Sequence, residues 1–273
     1  MQVKISLENA SFSYGQKTIF SGLNFEVGRG EILCILGANG CGKTTLLNCL
    51  NGTLKLKTGK VTLNGNNISN MGIVEVARRV GFVFQEHNAP FPFSVLEVVR
   101  MGRAPHLNFF ASPSKNDTEI ALRALDSVGM AQLRDNPYTQ ISGGERQLVL
   151  IARTLAQEPE VIIMDEPTSH LDFKNQTLVL RMIIKMASQG ISIIMSTHLP
   201  DHAMLLSGKV ALMSNGSFIT IGSIDAVMTE SNLRETYGID VRYLSVYDQT
   251  SGKTIKFCMP AIETNSQSSG INR

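Results

Sequence analysis

The strongest chemical signal in the chain is a run of eight residues, 37–44, with the sequence GANGCGKT. It fits the pattern G-x-x-x-x-G-K-[ST], in which glycines let the backbone turn its N–H groups towards an anion. The start of a following helix adds partial positive charge. We expect Lys43 to reach the β- and γ-phosphates of a nucleotide and Thr44 to ligate Mg²⁺. A glycine-rich turn without a ligand is disfavoured, because a buried-strand pattern precedes the motif and a helical pattern follows it.

Two carboxylates follow a second apolar run. Residues 161–164 are all apolar, and Asp165 and Glu166 come directly after them. Side chains at the exit of a buried strand face the ligand crevice of an α/β sheet. Asp165 therefore suits Mg²⁺, held through a water molecule, and Glu166 can polarise the water that attacks a γ-phosphate. The alternative is an ordinary acidic helix start before Pro167, and the nearby phosphate loop weighs against it.

A histidine follows a further apolar run at the same predicted sheet edge. His198 comes after residues 191–195 and could contact a γ-phosphate there. The alternative is an ordinary histidine satisfied by a hydrogen bond. His202 makes a two-histidine metal site conceivable, although no third ligand is evident in the sequence.

The segments around these groups predict an α/β fold. Apolar runs without alternation are typical of strands buried on both faces of a parallel sheet, and they occur at 31–36, 80–84, 161–164 and 191–195. Helical stretches lie between them, which favours a layered α/β core. Val3, Ile5 and Leu7 alternate with polar residues, and more strand-like sequence follows at 20–27. We therefore expect an antiparallel β layer at the front of this core.

The remaining segments suggest how the chain is divided. Helical patterns at 94–101 and 117–128 predict a helical subdomain inserted at about 87–154. Asn215-Gly216 predicts a hairpin turn, and short helices at about 223–229 and 231–237 and a strand pair, 241–246 with 253–258, are expected after it. We expect one domain over 1–240, whose core is 1–86 and about 155–240. Residues 241–273 would form a C-terminal extension with a polar, mobile tail.

Composition excludes several classes of protein. The chain has 273 residues, of which 43% are hydrophobic and 18% charged, so it is not a disordered protein. A net charge of +2 argues against a nucleic-acid partner. No run approaches the length of a transmembrane segment and the first residues lack a secretory pattern, so we expect a cytosolic protein. The four cysteines have no Cys-x-x-Cys spacing and fit reduced thiols.

Residues 141–147, ISGGERQ, complete a set of motifs that resembles the ATP-binding-cassette (ABC) ATPases over about residues 1–240. The resemblance rests on seven elements in the family's order, which are Tyr14, the phosphate loop, Gln85, residues 142–144, Asp165-Glu166, residues 169–172 and His198. It implies an α/β P-loop NTPase fold, with a RecA-like core, a front antiparallel β layer and an inserted helical subdomain. It also implies hydrolysis of ATP with Mg²⁺.

The resemblance implies a role for each matching residue. The expected catalytic residues are Glu166, His198 and Gln85, and the expected Mg²⁺ ligands are Thr44, Gln85 and Asp165. Tyr14 would stack on adenine, and the residues that would bind ATP in the phosphate loop are Asn39, Gly40, Cys41, Gly42, Lys43, Thr44 and Thr45. Ser142, Gly143, Gly144 and Glu145 would contact ATP held by a second copy of the chain, and Asp172 would couple the two sites. Without the resemblance, Tyr14 could be a core tyrosine and Gln85 a strand-end polar residue.

Three positions differ from the common family pattern. Ile141 replaces the commoner Leu, and Glu145 stands where many members have Gln; neither change indicates an inactive enzyme. Cys41 occupies a small-residue position of the phosphate loop. Because the pKa of a thiol near a helix N-terminus tends to fall, we expect alkylation of Cys41 to block ATP hydrolysis and bound ATP to protect it. An inert small side chain is the alternative.

Several segments resemble one branch of the family, the ATPases of iron–siderophore, haem and cobalamin importers (type II importers). They are 90–99, 101–107, 142–147, 167–172 and 237–241. The branch implies a homodimer on the cytoplasmic face of the membrane, two membrane permease subunits and an extracytoplasmic substrate-binding protein. Phe91 and Phe93, in the loop 87–93, could contact a permease helix or fill the subdomain core.

The cargo stays open at this stage. Importers of molybdate or tungstate belong to the same branch, and the ATPase does not touch the cargo. A non-transport ABC ATPase is less favoured, because the chain has one cassette and little net charge. A nucleotide switch that does not hydrolyse is disfavoured by Glu166 and His198.

Overall fold

The fold is a layered α/β structure, seen in a computed structural model that describes residues 3–85, 92–108, 111–206, 208–249 and 252–261. Its strands are β1 (Val3–Tyr14), β2 (Lys17–Gly28), β3 (Ile32–Leu36), β4 (Thr58–Leu63), β5 (Asn66–Asn67), β6 (Val80–Val83), β7 (Val161–Asp165), β8 (Ser192–Thr197), β9 (Lys209–Ser214), β10 (Ser217–Ser223), β11 (Val241–Asp248) and β12 (Lys253–Pro260). Its α-helices are α1 (Lys43–Leu50), α2 (Ile73–Arg79), α3 (Val95–Arg100), α4 (Lys115–Ser127), α5 (Gly143–Ala156), α6 (Phe173–Ser188), α7 (Pro200–Leu206), α8 (Ile224–Val227) and α9 (Glu230–Tyr237).

The central sheet places the predicted site residues at one edge. Its strand order is β10-β9-β3-β8-β7-β6, and all neighbouring pairs are parallel except β10 with β9. Leu36 is level with Thr197, and Asp165 is level with Ser196. Because parallel strands end at the same edge, the segments that follow β3, β6, β7 and β8 meet there. The predicted parallel core is confirmed, with β7 and β8 extending to Asp165 and Thr197.

The apolar runs lack alternation because both faces of the central sheet are covered. In β3, Ile32, Cys34 and Leu36 belong to one buried cluster, which includes the helices on the far face. Leu33 and Ile35 belong to the other cluster, together with α1 and the front sheet. Every residue of β3 is buried. A strand with two buried faces gains from apolar side chains at every position.

The front layer is an antiparallel sheet of order β2-β1-β4-β5. The sequence predicted its first two strands and left β4, β5 and α2 unassigned. β4 begins with three exposed residues, Thr58, Gly59 and Lys60, before its three buried ones, so it carries no clear apolar run. It pairs with β1 through Ile5 and Leu63, both fully buried.

The helices α3, α4 and α5 pack against one another between β6 and β7, as the inserted helical patterns predicted. A 3₁₀ segment, Met101–His106, follows α3 directly. The domain limits at 87 and 154 remain a proposal, and residues 86–91, with Pro90 and Phe91, lie outside the described residues. Phe93 is described and partly exposed.

After the core, the chain follows the predicted order closely. Asn215 and Gly216 both have positive φ, 47° and 76°, and turn β9 into β10. β11 and β12 pair over their full lengths, which confirms the predicted strand pair. The predicted polar tail from residue 263 lies outside the described residues. Within the described part of the chain, no helix combines the length and the apolar character that crossing a bilayer requires.

Candidate active site

The phosphate loop connects β3 to α1, and its glycines are required by geometry. Gly40 and Gly42 have φ of 80° and 109°, values that L side chains rarely adopt. Gly37 has an ordinary φ, but a Cβ there would clash with the carbonyl oxygen of Met213. The loop is therefore pressed against β9 and tightly wound, as a backbone anion site requires.

Lys43 lies at the centre of this loop and is only 5% exposed. Its Nζ donates hydrogen bonds to the carbonyl oxygens of Gly37 (2.9 Å) and Ala38 (3.1 Å). It also lies 3.5 Å from Oε1 of Glu166. These oxygens satisfy a charge that would be costly to bury alone. The ammonium group is thus held where the loop would wrap an anion.

The outer part of the loop is accessible. Asn39, Gly40 and Thr44 are exposed, whereas Thr45 and Cys41 are partly buried. Thr44 is in the first turn of α1, where its hydroxyl sits next to the positive end of the helix. The structure therefore presents the outer part of the loop to a ligand and buries Lys43 together with Gly37 at its start.

Glu166 has an unusual backbone that is fixed by its neighbours. Its φ is 45°, which is rare for a residue with a side chain. Its N–H donates to Ser196 Oγ (2.9 Å), and its carbonyl accepts from Ser169 Oγ (2.8 Å). Ser196 Oγ in turn donates to Asp165 Oδ1 (2.6 Å). Strained conformations that are fixed in this way concentrate at functional sites.

The Glu166 carboxylate lies between two nitrogen groups. Oε1 faces Lys43, and Oε2 accepts a hydrogen bond from Nδ1 of His198, 3.0 Å away. A carboxylate can only accept, so this bond requires the hydrogen on Nδ1. His198 is 39% exposed in its side chain, and Glu166 is 11% exposed. The three residues that the sequence assigned separately to phosphate binding, water activation and γ-phosphate contact therefore form one cluster.

Gln85 lies two residues after β6, which pairs with β7, so it is at the same sheet edge as Asp165. Its side chain is exposed. The hydroxyl of Thr44, the amide of Gln85 and the carboxylate of Asp165 are all oxygen donors, which Mg²⁺ prefers. The donor set therefore fits Mg²⁺. Oδ1 of Asp165 is held by the hydrogen bond from Ser196, so Oδ2 is the carboxylate oxygen that would face the ion.

Tyr14 is at the end of β1 and is 53% exposed. Its ring meets the edge of Phe12 at a centroid distance of 4.9 Å. The alternative of a core tyrosine is therefore wrong, because β1 carries this side chain beyond the packed interior. An exposed ring that packs against Phe12 on one side can stack on a flat ligand.

The ISGGERQ segment forms the start of a separate helix, α5, and is not part of this cluster. Ser142 caps α5 in a capping box: its hydroxyl accepts the N–H of Glu145 (3.3 Å), and its own N–H donates to the Glu145 carboxylate (2.8 Å). The hydrogen bonds from Ser142 lower the pKa of Glu145. Ser142 and Gly143 are exposed. These hydrogen bonds of Ser142 and Glu145 stay within the first turn of α5.

Asp172 caps the neighbouring helix α6 and accepts the N–H of Asn175 at 2.8 Å. Asn175 packs against Gly144, where any Cβ would clash with the amide group. The starts of α5 and α6 therefore touch, and a side chain at position 144 would displace the Asn175 amide from this contact. Around Gly143, in contrast, no described atom beyond its chain neighbours and the backbone of its own helix lies within 4 Å of the Cβ that an alanine would carry.

Two expectations about single residues change. Burial raises the pKa of Cys41 above its ordinary value, although the charge of Lys43 opposes the shift. The expected fall in that pKa is therefore wrong, and the structure favours the inert small side chain.

Burial lowers the pKa of His202, whose Nδ1 shares a hydrogen bond of 3.0 Å with Thr168 Oγ1. That bond gives His202 a structural partner in place of a metal.

Sequence analysis missed Ser196 and Tyr237 as parts of the site. Ser196 joins the backbone of Glu166 to the side chain of Asp165. The hydroxyl of Tyr237 donates to the carbonyl oxygen of His198 at 3.1 Å. Ser196 could have been found as a polar residue at the end of a buried strand, next to His198. Tyr237 lies 39 residues beyond His198, and no local pattern connects the two.

The sequence model of the ABC transporter family matches residues 20–169, more than half of the chain. The chain belongs to this family. As an ABC protein it binds ATP and is an ATP-hydrolysing transporter subunit.

Relatives of known name agree with this assignment. The chain is 39% identical over 235 residues to the molybdate import ATP-binding protein MolC of Haemophilus influenzae, covering 85% of this chain and 87% of that protein. It is 34% identical to the iron(3+)-hydroxamate import ATP-binding protein FhuC of Bacillus subtilis, covering 88% and 90%. A solved structure described as a metal-chelate type ABC transporter in an inward-facing conformation matches with a TM-score of 0.86 and 35% identity, over 96% of this chain and 98% of that one. This chain is therefore an ABC importer ATPase in sequence and in fold.

Proposed function

We propose that two copies of this ABC ATPase bind two ATP molecules between them and use hydrolysis to power import through membrane permease subunits. One observation carries the proposal. Lys43, Glu166 and His198 form a single cluster, whereas the Ser142-Gly143 motif is exposed at the start of a different helix, α5. A second chain that brings its own motif to this cluster would complete a site that one chain leaves open.

Within one chain, the cluster supplies the groups for phosphoryl transfer to water. Lys43 would exchange its backbone carbonyl partners for the β- and γ-phosphates. Glu166 would orient and polarise the attacking water, and His198 would hold the Glu166 carboxylate and contact the γ-phosphate. Thr44, Gln85 and Asp165 would hold Mg²⁺, which when bound neutralises charge on the phosphates. Tyr14 would stack on adenine.

The second chain would contribute the signature residues 142–145. Gly143 has room for a side chain within its own chain, so packing inside the chain does not account for its glycine. A closely approaching phosphate would account for it, because only glycine lets the backbone N–H come that near. Asp172, next to this motif through Asn175, would couple the two sites.

The relatives support a proposal for the partners and the location of this protein. MolC and FhuC are import ATP-binding proteins, and the structural match is part of an ABC transporter. We propose two membrane permease subunits, an extracytoplasmic substrate-binding protein, and a peripheral position on the cytoplasmic face of the membrane. Gln85 and Phe93, which flank the segment 86–91, would lie at the permease contact.

The cargo we propose is an iron complex, either a siderophore or haem, or cobalamin. FhuC and the metal-chelate transporter support this class. Molybdate is the second candidate, favoured by the 39% identity to MolC. Because the ATPase does not touch the cargo, its sites cannot distinguish these ligands.

Uptake in cells that lack this protein tests the proposal. Labelled ferric siderophore, haem, cobalamin and molybdate would be offered separately, and the gene restored as wild type or as Glu166→Gln. We expect the loss of one iron-complex or cobalamin uptake, restored by the wild type only. Selective loss of molybdate uptake would establish the second candidate, and unchanged uptake of every cargo would contradict both.

A further inference from the structure

A tyrosine from the last helix reaches the loop that carries His198. Tyr237 is the final residue of α9, and its side chain packs against the central core. Its hydroxyl donates a hydrogen bond of 3.1 Å to the backbone carbonyl of His198. The same histidine holds Glu166 through its ring. A short chain of contacts therefore runs from α9 to the residue that would activate water.

The position of Tyr237 is itself well fixed. Thr229 caps α9 by accepting the N–H of Asn232 at 3.2 Å, and Leu233 in the middle of the helix is fully buried. Gly238 ends the helix in a left-handed conformation, with φ of 70°. A capped, buried and sharply terminated helix has little freedom to move its last side chain.

The hairpin of β11 and β12 makes a second contact, with the first turn of α7, which directly follows the loop that carries His198. The backbone N–H of Cys258 donates to Oδ1 of Asp201 at 3.3 Å, three residues after His198. Tyr243 and Cys258 pack against the core from the inner face of the hairpin. The N–H of Tyr243 donates to Glu230 of α9 (2.9 Å), so helix and hairpin form one unit.

The environment keeps the Tyr237 hydroxyl protonated. Burial raises its pKa, and the neighbouring groups Cys258, Cys41 and Glu166 raise it further. The hydroxyl therefore donates throughout the physiological pH range.

We propose that α9 and the strands β11 and β12 brace the loop that carries His198, and that Tyr237 is a positioning residue for ATP hydrolysis. Tyr237 acts through His198 and does not touch the nucleotide. The inference rests on the proposed role of His198. It gives the segment beyond the nucleotide-binding core a function in turnover, whereas a simple cap would contribute only stability.

The test is Tyr237→Phe, which removes one hydroxyl and keeps the ring in the core. We expect kcat for ATP hydrolysis to fall about fivefold, the effect of one lost hydrogen bond, while KM for ATP stays unchanged. The ¹⁵N imidazole signals of His198, assigned by their absence in His198→Gln, should shift. Tyr247→Phe is the matched control, because it removes a hydroxyl from an exposed ring of the same hairpin. The control should leave kcat and the His198 signals as in the wild type.

The outcomes separate this inference from the proposed function. If His198→Gln keeps wild-type kcat, the proposed role of His198 is wrong. If His198→Gln loses activity but Tyr237→Phe keeps kcat, or loses it without moving the His198 signals, the brace is overturned. Should Tyr237→Phe fold poorly, Asp201→Ala tests the second contact by the same two readouts. Where both single variants fold, the loss of kcat in the double variant should be smaller than the product of the two single losses, because both contacts hold His198 and the start of α7 that follows it.

Discussion

At the scale of single residues, the site depends on how Glu166 is confined. Its backbone is strained and fixed by two serines, and its carboxylate touches both Lys43 and His198. The carboxylate is therefore held in one orientation before any ligand arrives. Such preorganisation is what positioning catalysis requires, because little motion is needed in the reacting state.

Glu166→Gln should remove turnover and keep nucleotide binding. The amide has the same shape but cannot take the role of a base, and Lys43 remains in place. We expect kcat to fall by a factor on the order of 100 or more, with ATP retained in a stable dimer. Phosphate release and size-exclusion chromatography with ATP would measure the two effects. Glu26→Gln, an exposed acid on β2, is the control; hydrolysis at the wild-type rate by Glu166→Gln would refute the assignment.

At the scale of elements, the three inserted helices share the same N-terminal capping motif. The helices α3, α4 and α5 each begin with a capping box, formed by Ser94 with Glu97, Ser114 with Asp117, and Ser142 with Glu145. Each box satisfies N–H groups that the first helical turn leaves unpaired. In α5 the capping box fixes the backbone of residues 142–145. The conformation of the helix start that would meet a second nucleotide is therefore set by residues that are neighbours in the sequence.

The box of α4 is also tied to a buried arginine. Asp117 accepts from Nε of Arg103 at 3.0 Å, and both side chains are almost fully buried. Hydrogen bonds from Ser114, followed by the Arg103 contact, lower the pKa of Asp117 from 3.8 to about 2. Because this pKa is lower in the folded state, the stabilisation is present above about pH 4 and is lost as pH falls towards 2.

Asp117→Ala should lower the free energy of unfolding by about 2 to 3 kcal/mol near neutral pH, because it leaves a buried guanidinium with fewer partners. Urea unfolding would measure this, and the difference from wild type should shrink at about pH 3. Asp135→Ala, whose pair with Arg134 is exposed, should cost less than about 1 kcal/mol. Equal effects of the two substitutions, or a difference that does not change with pH, would contradict this account.

At the scale of the whole molecule, each proposed ATP site needs residues from two chains. Lys43 and Glu166 belong to one cluster, and Ser142 and Gly143 are exposed at the start of a different helix, α5. A variant damaged in one of these two sets should therefore complement a variant damaged in the other. In a mixed dimer, one site carries both defects and the second site carries neither.

Lys43→Ala and Ser142→Arg should each abolish ATP hydrolysis alone. The first removes the phosphate contact, and the second places a bulky charge where the partner's nucleotide would lie. Mixing the two purified proteins should restore measurable phosphate release, whereas each protein mixed with itself stays inactive. A mixture as inactive as its components would mean that both sets of residues serve a site within one chain.

Much of the fold and of the candidate site could be predicted from the sequence, because these features depend on short stretches of neighbouring residues. The phosphate loop, the buried strands and the Asn215-Gly216 turn depend on residues that are neighbours in the chain, so composition and spacing indicate them. β4 and β5 were missed even though Asn64-Gly65 joins them with positive φ at both residues, 51° and 81°. The flanking residues were too polar to suggest strands, and pairing with β1 gives β4 its place.

The sequence by itself determined the family, the α/β class and the residue types of the site. Only the tertiary structure decided that Lys43, Glu166 and His198 touch, that Tyr14 is outside the core, and that burial raises the pKa of Cys41. It alone connected Tyr237 to His198. The physical reason is that contacts and desolvation depend on which distant segments share a volume. Which segments lie together is decided by the packing of the whole chain, and the local spacing of residues does not indicate it.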